Sequence, residues 1–236
     1  MSGHSHWSTI KFKKGREDAL RSKVFSKFAK EITVAAKDGG GDLDFNPKLR
    51  MIVEKARTEN MPSDNIDKAI KKGTGELKGD SLEEFLFEAY GPGGVAILIE
   101  GITDNMNRTF NEMKANIAQN GGKLVESGAL KWMFEKKGLI EIKKGEKNDE
   151  EMELDFISAG ANDISIEDDT FIVETKLEDF DKVKKAIEGM GYKISTFSLP
   201  WIAKEKVEAD KEKNYKLFEA LDESEDVKDF YYNLND

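Results

Sequence analysis

Lys11, Lys13, Lys14 and Arg16 crowd the end of the stretch GHSHWSTIKFKKGR, behind His4, His6 and Trp7, with no acid among them. Clustered cations of this kind neutralise phosphates, and a neighbouring aromatic can stack on an unpaired base. Trp7 has a second reading, as an anchor that packs the segment onto its own domain. His4 and His6 suit a nucleic-acid contact. If Met1 is removed, they also belong to a Ser-Gly-His start able to chelate Cu(II) or Ni(II) in a square plane. Nothing else in the sequence supports a metal, so neither metal nor cofactor is assigned.

The same charge continues along the chain. Residues 16–37 read as an amphipathic helix with Leu20, Val24, Phe28, Ile32 and Ala35 on one face. Arg16, Lys23, Lys27, Lys30 and Lys37 fall on a neighbouring arc about 80° wide, into which Val34 intrudes. Lys71 and Lys72 end a later helix, where cations also suit the helix dipole. In TDNMNRT, Asp104, Asn105 or Asn107 can cap a helix, and Asn107 and Arg108 remain available for a surface contact.

Catalytic chemistry finds little material. The chain has 2 His and no Cys, and both histidines lie in the opening stretch, far from any paired nucleophile. Adjacent acids such as Glu83/Glu84 and Asp168/Asp169 read as ordinary surface charge. YGPGGVAI lacks the Lys-Ser/Thr ending of a phosphate loop and reads as a hairpin turn. A non-enzyme is expected.

Composition sets the frame. In 236 residues, 36% are charged and 38% hydrophobic, the balance of a globular protein. Without cysteine there are no disulfides or zinc–thiolate sites. No apolar run is long enough for a membrane span, and the start has neither a signal-peptide h-region nor a transit-peptide pattern, so a cytoplasmic protein is expected. Charge is strongly divided. Residues 1–79 carry 17 Lys+Arg against 11 Asp+Glu, and residues 80–236 carry 20 against 36. A basic module joined to an acidic body suits contact with a polyanion at one end only.

The elements that must position these groups follow from periodicity and punctuation. After the first helix, GGGD stops the chain, and Asn46 and Pro47 start a second helix as N-cap and first helical residue. A third ends at Gly73, giving a small bundle over 1–79. From residue 80 the period changes to strands around PGG, a helix NRTFNEMKANIAQ, and further strands ALKWMFEKKG and GLIEIKK. Residues 139–198 alternate as β-α-β-β-α-β, the ferredoxin-like order. The last helix and strand cannot stand alone and are expected to return to the earlier sheet. The expected architecture is α+β in three domains: a basic helical bundle (1–79), a discontinuous α+β domain (80–138 with 199–236), and an inserted acidic ferredoxin-like domain (139–198).

GHSHW, TVAAKDGGGD, NPKLR, ENMPSDNIDKAIKKGTGE, YGPGGVAILIE, TDNMNRT, NGGKL and FEKKG, in this order along nearly the whole chain, resemble the YebC family of gene-expression regulators, which includes the mitochondrial translational activator of cytochrome c oxidase subunit I. The resemblance implies a helical N-terminal domain followed by two α+β domains, one inserted in the other. It also implies a DNA-binding transcriptional regulator or, through the mitochondrial relative, a ribosome-associated translation factor that binds ribosomal RNA. Phe12, Leu20, Met106 and Asn120 depart from the family's usual pattern, each removing a polar or basic contact. A hydrolase using surface carboxylates and a scaffold with a basic protein partner are the remaining alternatives. No membrane partner is expected, and the sequence does not give the oligomeric state.

Overall fold

A computed structural model describes residues 17–79, 81–145 and 148–235 of the chain, with side chains from Arg21 onward. Two compact units divide it, one formed by residues 1–133 with 205–236 and the other by 134–204.

The first unit opens with helices α1 (Glu17–Gly39), α2 (Pro47–Thr58) and α3 (Ser63–Gly73). The Asn46 side chain accepts the Leu49 N–H at 3.0 Å and Pro47 occupies the first turn, so the predicted cap is in place. Ile32, Ala35 and Ala36 of α1 meet Leu49, Val53 and Ala56 of α2 and Ile66 and Ala69 of α3 in a core of their own. Val34, which interrupts the basic arc in sequence, is itself buried. α1 and α3 touch closely, because a side chain at Gly73 would fall 2.3 Å from the Thr33 carbonyl.

The rest of the unit is an antiparallel sheet, β3-β1-β2-β9, built from β1 (Glu83–Tyr90), β2 (Ala96–Thr103), β3 (Lys123–Val125) and β9 (Val227–Tyr232). PGG forms the hairpin turn: Gly91 donates to the Val95 carbonyl at 2.7 Å, and Gly93 and Gly94 take positive φ. α4 (Met106–Gln119) and α7 (Lys211–Glu223) cover one face of the sheet. Their core joins Ile97, Ile99, Met113, Ile117, Leu217, Phe218 and Phe230. The C-terminal strand thus pairs with β2, as the sequence requires of a segment too short to fold alone.

The second unit contains β4 (Phe134–Lys143), α5 (Asp149–Ala159), β5 (Asp163–Glu167), β6 (Thr170–Lys176), α6 (Phe180–Gly189), β7 (Ile194–Ser198) and β8 (Trp201–Ala203). Its sheet runs β5-β6-β4-β7, all antiparallel, which is how β-α-β-β-α-β closes when each helix returns the chain to the same edge-to-edge layer. Two details differ from the sequence reading. FEKKG and GLIEIKK form one strand, since Gly138 leaves room for Phe180 and Thr175 where a side chain would collide at 2.4 Å. The unit also reaches beyond 139–198 at both ends, because Phe134–Lys136 pair with Trp201–Ala203. No helix among the described residues is long and apolar enough to cross a membrane.

Gly101 marks the tightest point of the first sheet. The β2–β9 register shifts there, and a Cβ would lie 2.2 Å from both the Asp226 carbonyl and the Phe85 ring. Gly101→Ala must therefore displace backbone or an aromatic, and about 1–3 kcal/mol of stability should be lost. Calorimetric melting should register a fall of several degrees; an unchanged midpoint would show that the bulge relaxes freely.

Candidate nucleic-acid interface

The opening stretch, with His4, His6, Trp7, Lys11, Lys13, Lys14 and Arg16, lies outside the described residues. The remaining predicted contacts separate into two groups.

Lys23, Lys27 and Lys30 of α1 turn towards the chain's own C-terminal region. Lys23 donates to the Asp222 carbonyl, and the Lys27 ammonium lies 3.8 Å from the Asp222 carboxylate. Lys30 pairs with Asp226 at 2.7 Å and donates to the Glu225 carbonyl at 3.0 Å. The spacing explains the fit. Lys23, Lys27 and Lys30 recur each helical turn, and Asp222, at the end of α7, and Asp226, just before β9, supply acceptors along the same line.

Asp226 gathers more than one cation. Arg108 reaches the same carboxylate at 2.7 Å from α4, and Thr109 donates to it at 2.7 Å. Arg108 also pairs with Asp104 at 2.9 Å. Asn105 is the cap of α4, accepting the Arg108 N–H, while Asn107 is exposed in the first turn. Burial would raise the Asp226 pKa, but the hydrogen bonds from Lys30, Thr109 and Arg108 outweigh it and bring the carboxyl down to about 2.

A second ionic contact lies alongside. Lys228 of β9 pairs with Glu31 of α1 at 2.9 Å, with the Glu31 side chain only 12% exposed. Burial works against the Lys228 charge, yet Glu31 and Asp229 more than offset it and raise the pKa above the ordinary lysine value. Burial lowers Lys55 of α2, which Asp229 and Glu31 counteract in part. Tyr231 is pushed well above the usual phenol range by burial and by Asp229 and Glu100.

Lys37, Lys71 and Lys72 form the other group. The close approach of Gly73 to α1 sets the last turn of α3 against the last turn of α1, so these three exposed lysines share one end of the bundle. Lys37 reaches the Leu82 carbonyl at 3.4 Å. In α3 the carbonyls of Lys71 and Lys72 accept from Leu77 and Gly75, which closes the helix end while both side chains stay exposed.

The acceptors Asp222 and Asp226 were missed from sequence. They sit in LDESEDVKD, which reads as a solvated acidic run. The available signal was their spacing, four residues apart, opposite lysines of matching spacing on α1.

Asp226→Ala should leave Lys30 and Arg108 facing a deleted carboxylate and lower stability by about 1–3 kcal/mol. Both cations keep access to water, which limits the loss. Because the folded pKa lies below the ordinary 3.8, this stabilisation is complete above about pH 4 and disappears as pH falls through about 2. Melting curves of wild type and Asp226→Ala should converge across that window; a constant gap down to pH 2 would contradict the assignment.

The chain matches the family model described as TACO1/YebC protein N-terminal domain over residues 5–76, and TACO1/YebC second and third domain over residues 82–234. Among curated relatives, a "probable transcriptional regulatory protein" of Desulforapulum autotrophicum is 48% identical over 100% of this chain and 96% of its own. One of Halothermothrix orenii is 43% identical over 100% and 95%, and one of Geobacter sulfurreducens 46% over 100% and 96%. The crystal structure of a conserved hypothetical protein from Aquifex aeolicus superposes with a TM-score of 0.85 at 40% identity, covering 98% of this chain and 96% of that one. With both family models covering nearly its whole length and relatives of this identity matched end to end, the chain belongs to the TACO1/YebC family.

Proposed function

We propose that this protein is a non-enzymatic, cytoplasmic regulator of gene expression that contacts nucleic acid through its N-terminal segment and the lysine-bearing end of its helical bundle. The observation that carries the reading is the division of charge, 17 Lys+Arg against 11 Asp+Glu before residue 80 and 20 against 36 after it. The relatives' printed names support transcription as the process, for which DNA would be the nucleic acid contacted.

Lys11, Lys13, Lys14 and Arg16 would meet phosphates, with His4, His6 and Trp7 beside them. Lys37, Lys71 and Lys72 would extend that contact from the bundle. Lys23, Lys27, Lys30 and Arg108 hold the chain's own acids in the folded state, so a role in binding requires them to exchange partners. One observation favours RNA within a ribosome as a second reading: the exposed cations at the bundle end are lysines, point charges suited to phosphate rather than to reading base edges.

Neutralising Lys11, Lys13, Lys14 and Arg16 together should flatten the salt dependence of binding to duplex DNA by about 3–4 logarithmic units per decade of salt. An unchanged slope would remove the opening segment from the contact. Sedimentation with ribosomes at moderate salt, set against retention of one promoter fragment over bulk DNA, separates the two readings.

A further inference from the structure

Helix α5 of the second unit carries more apolar side chains than its packing uses. A surface helix buries one face and leaves the other to water. The buried face of α5 is Met152, Phe156 and Ala159. Phe156 meets Phe171 of β6 edge-on, with 5.5 Å between ring centres, and Tyr192 at 5.0 Å. Yet Leu154 is 64% exposed and Ile157 59%. Two large aliphatic side chains therefore stand on the outer face, where a solvated helix carries polar groups. At about 100° per residue they lie about 60° apart, three residues along, and form one ridge.

Acids surround that ridge. Glu150 falls between Leu154 and Ile157 one turn earlier, Glu151 lies beyond Leu154, and Glu153 lies beyond Ile157. Glu150 and Glu151 occupy the first turn, where carboxylates also suit the helix dipole. The dipole accounts for neither Leu154 nor Ile157. Among the described residues, none of the three glutamates pairs with a cation. Residues 134–204 carry 11 Lys+Arg against 17 Asp+Glu, a balance that disfavours nucleic acid and suits a basic protein. The helix is also held firmly. Asn148 caps it by accepting the Glu150 N–H at 3.2 Å, Gly160 closes it at φ 106°, and the Tyr192 hydroxyl donates to Asp155 at 2.5 Å. A surface fixed in advance loses little freedom on binding.

We infer that the outer face of α5 is a docking surface for an amphipathic helix of a partner protein, one with lysine or arginine flanking its apolar stripe. Leu154 and Ile157 form a ridge that the side-chain grooves of such a helix accept, and Glu150, Glu151 and Glu153 meet the flanking cations. An extended peptide is a poorer fit, because the open edge strand that follows, β5, is guarded by Asp163 and Glu167 at its ends. Two apolar side chains with charge at the rim make a small contact, so binding is transient and sensitive to salt. The inference stands apart from the nucleic-acid reading.

The test uses the full chain and two labelled synthetic peptides of leucine and lysine with the same composition. One places leucine at helical spacing; the other is scrambled so that no apolar face forms. Fluorescence anisotropy should show the periodic peptide binding at least about tenfold more tightly than the scrambled one. Leu154→Ser with Ile157→Ser should weaken the periodic peptide by about tenfold or more, the loss expected for the centre of an interface. Glu150→Gln, Glu151→Gln and Glu153→Gln together should flatten its salt dependence. All five side chains lie outside the buried face of α5, so circular dichroism of both variants should match wild type. Equal binding of the two peptides, or an unchanged affinity in the double serine variant, overturns the inference. A wild-type dimer in analytical ultracentrifugation that the serine variant splits assigns the face to a second copy of this chain and likewise overturns it.

Discussion

The Asp226 carboxylate is where the first unit is tied together. It receives Lys30 from the first helix, Arg108 and Thr109 from the helix after the β1–β2 hairpin, and leads directly into the last strand. Segments distant in sequence, separated by 196 and 118 residues, converge on one group. Its low pKa follows from that convergence rather than from exposure: burial alone would have raised it. The Gly101 bulge belongs to the same arrangement, since the Asp226 carbonyl occupies the space a side chain would need.

The contact between α1 and the sheet is ionic where the contacts within the bundle are apolar. Ile32, Ala35 and Ala36 bury against α2 and α3, while Lys23, Lys27, Lys30 and Glu31 face the region around α7 and β9. Ion pairs of this kind gain less than an equal area of hydrocarbon, because both partners surrender hydration. Register is fixed where the sign of charge changes: a helix slid by one turn would set Lys27 or Ala35, in place of Glu31, opposite Lys228. The acids of the C-terminal region thus occupy three lysines of the α1 arc in the folded chain.

Much of the fold was legible because its signals are local. Asn46-Pro47 specifies its helix start through one side chain and one fixed φ. PGG specifies the hairpin through positive-φ glycines, and the run from Leu139 to Ser198 specifies its own sheet order through alternating periods. What periodicity could not supply was the identity of a distant neighbour. A lysine arc looks the same whether it faces water, phosphate or Asp226, and the distinction depends on residues some two hundred positions away. Trp132 was opaque for a related reason. In ALKWMF it reads as a strand aromatic, and only the Glu88 carboxylate, placed by β-pairing across the sheet, shows that the chain is held there as a turn.

The ionic character of the α1 contact also determines what would happen if it came apart. Separating two greasy surfaces leaves each of them sticky, and such proteins tend to clump before they can close again. Lifting Lys23, Lys27 and Lys30 from Asp222 and Asp226 would present water with ammonium and carboxylate groups that it solvates well. A form parted at these ion pairs would stay dispersed and return without assistance, and dissolved ions would ease the parting by screening both sides at once.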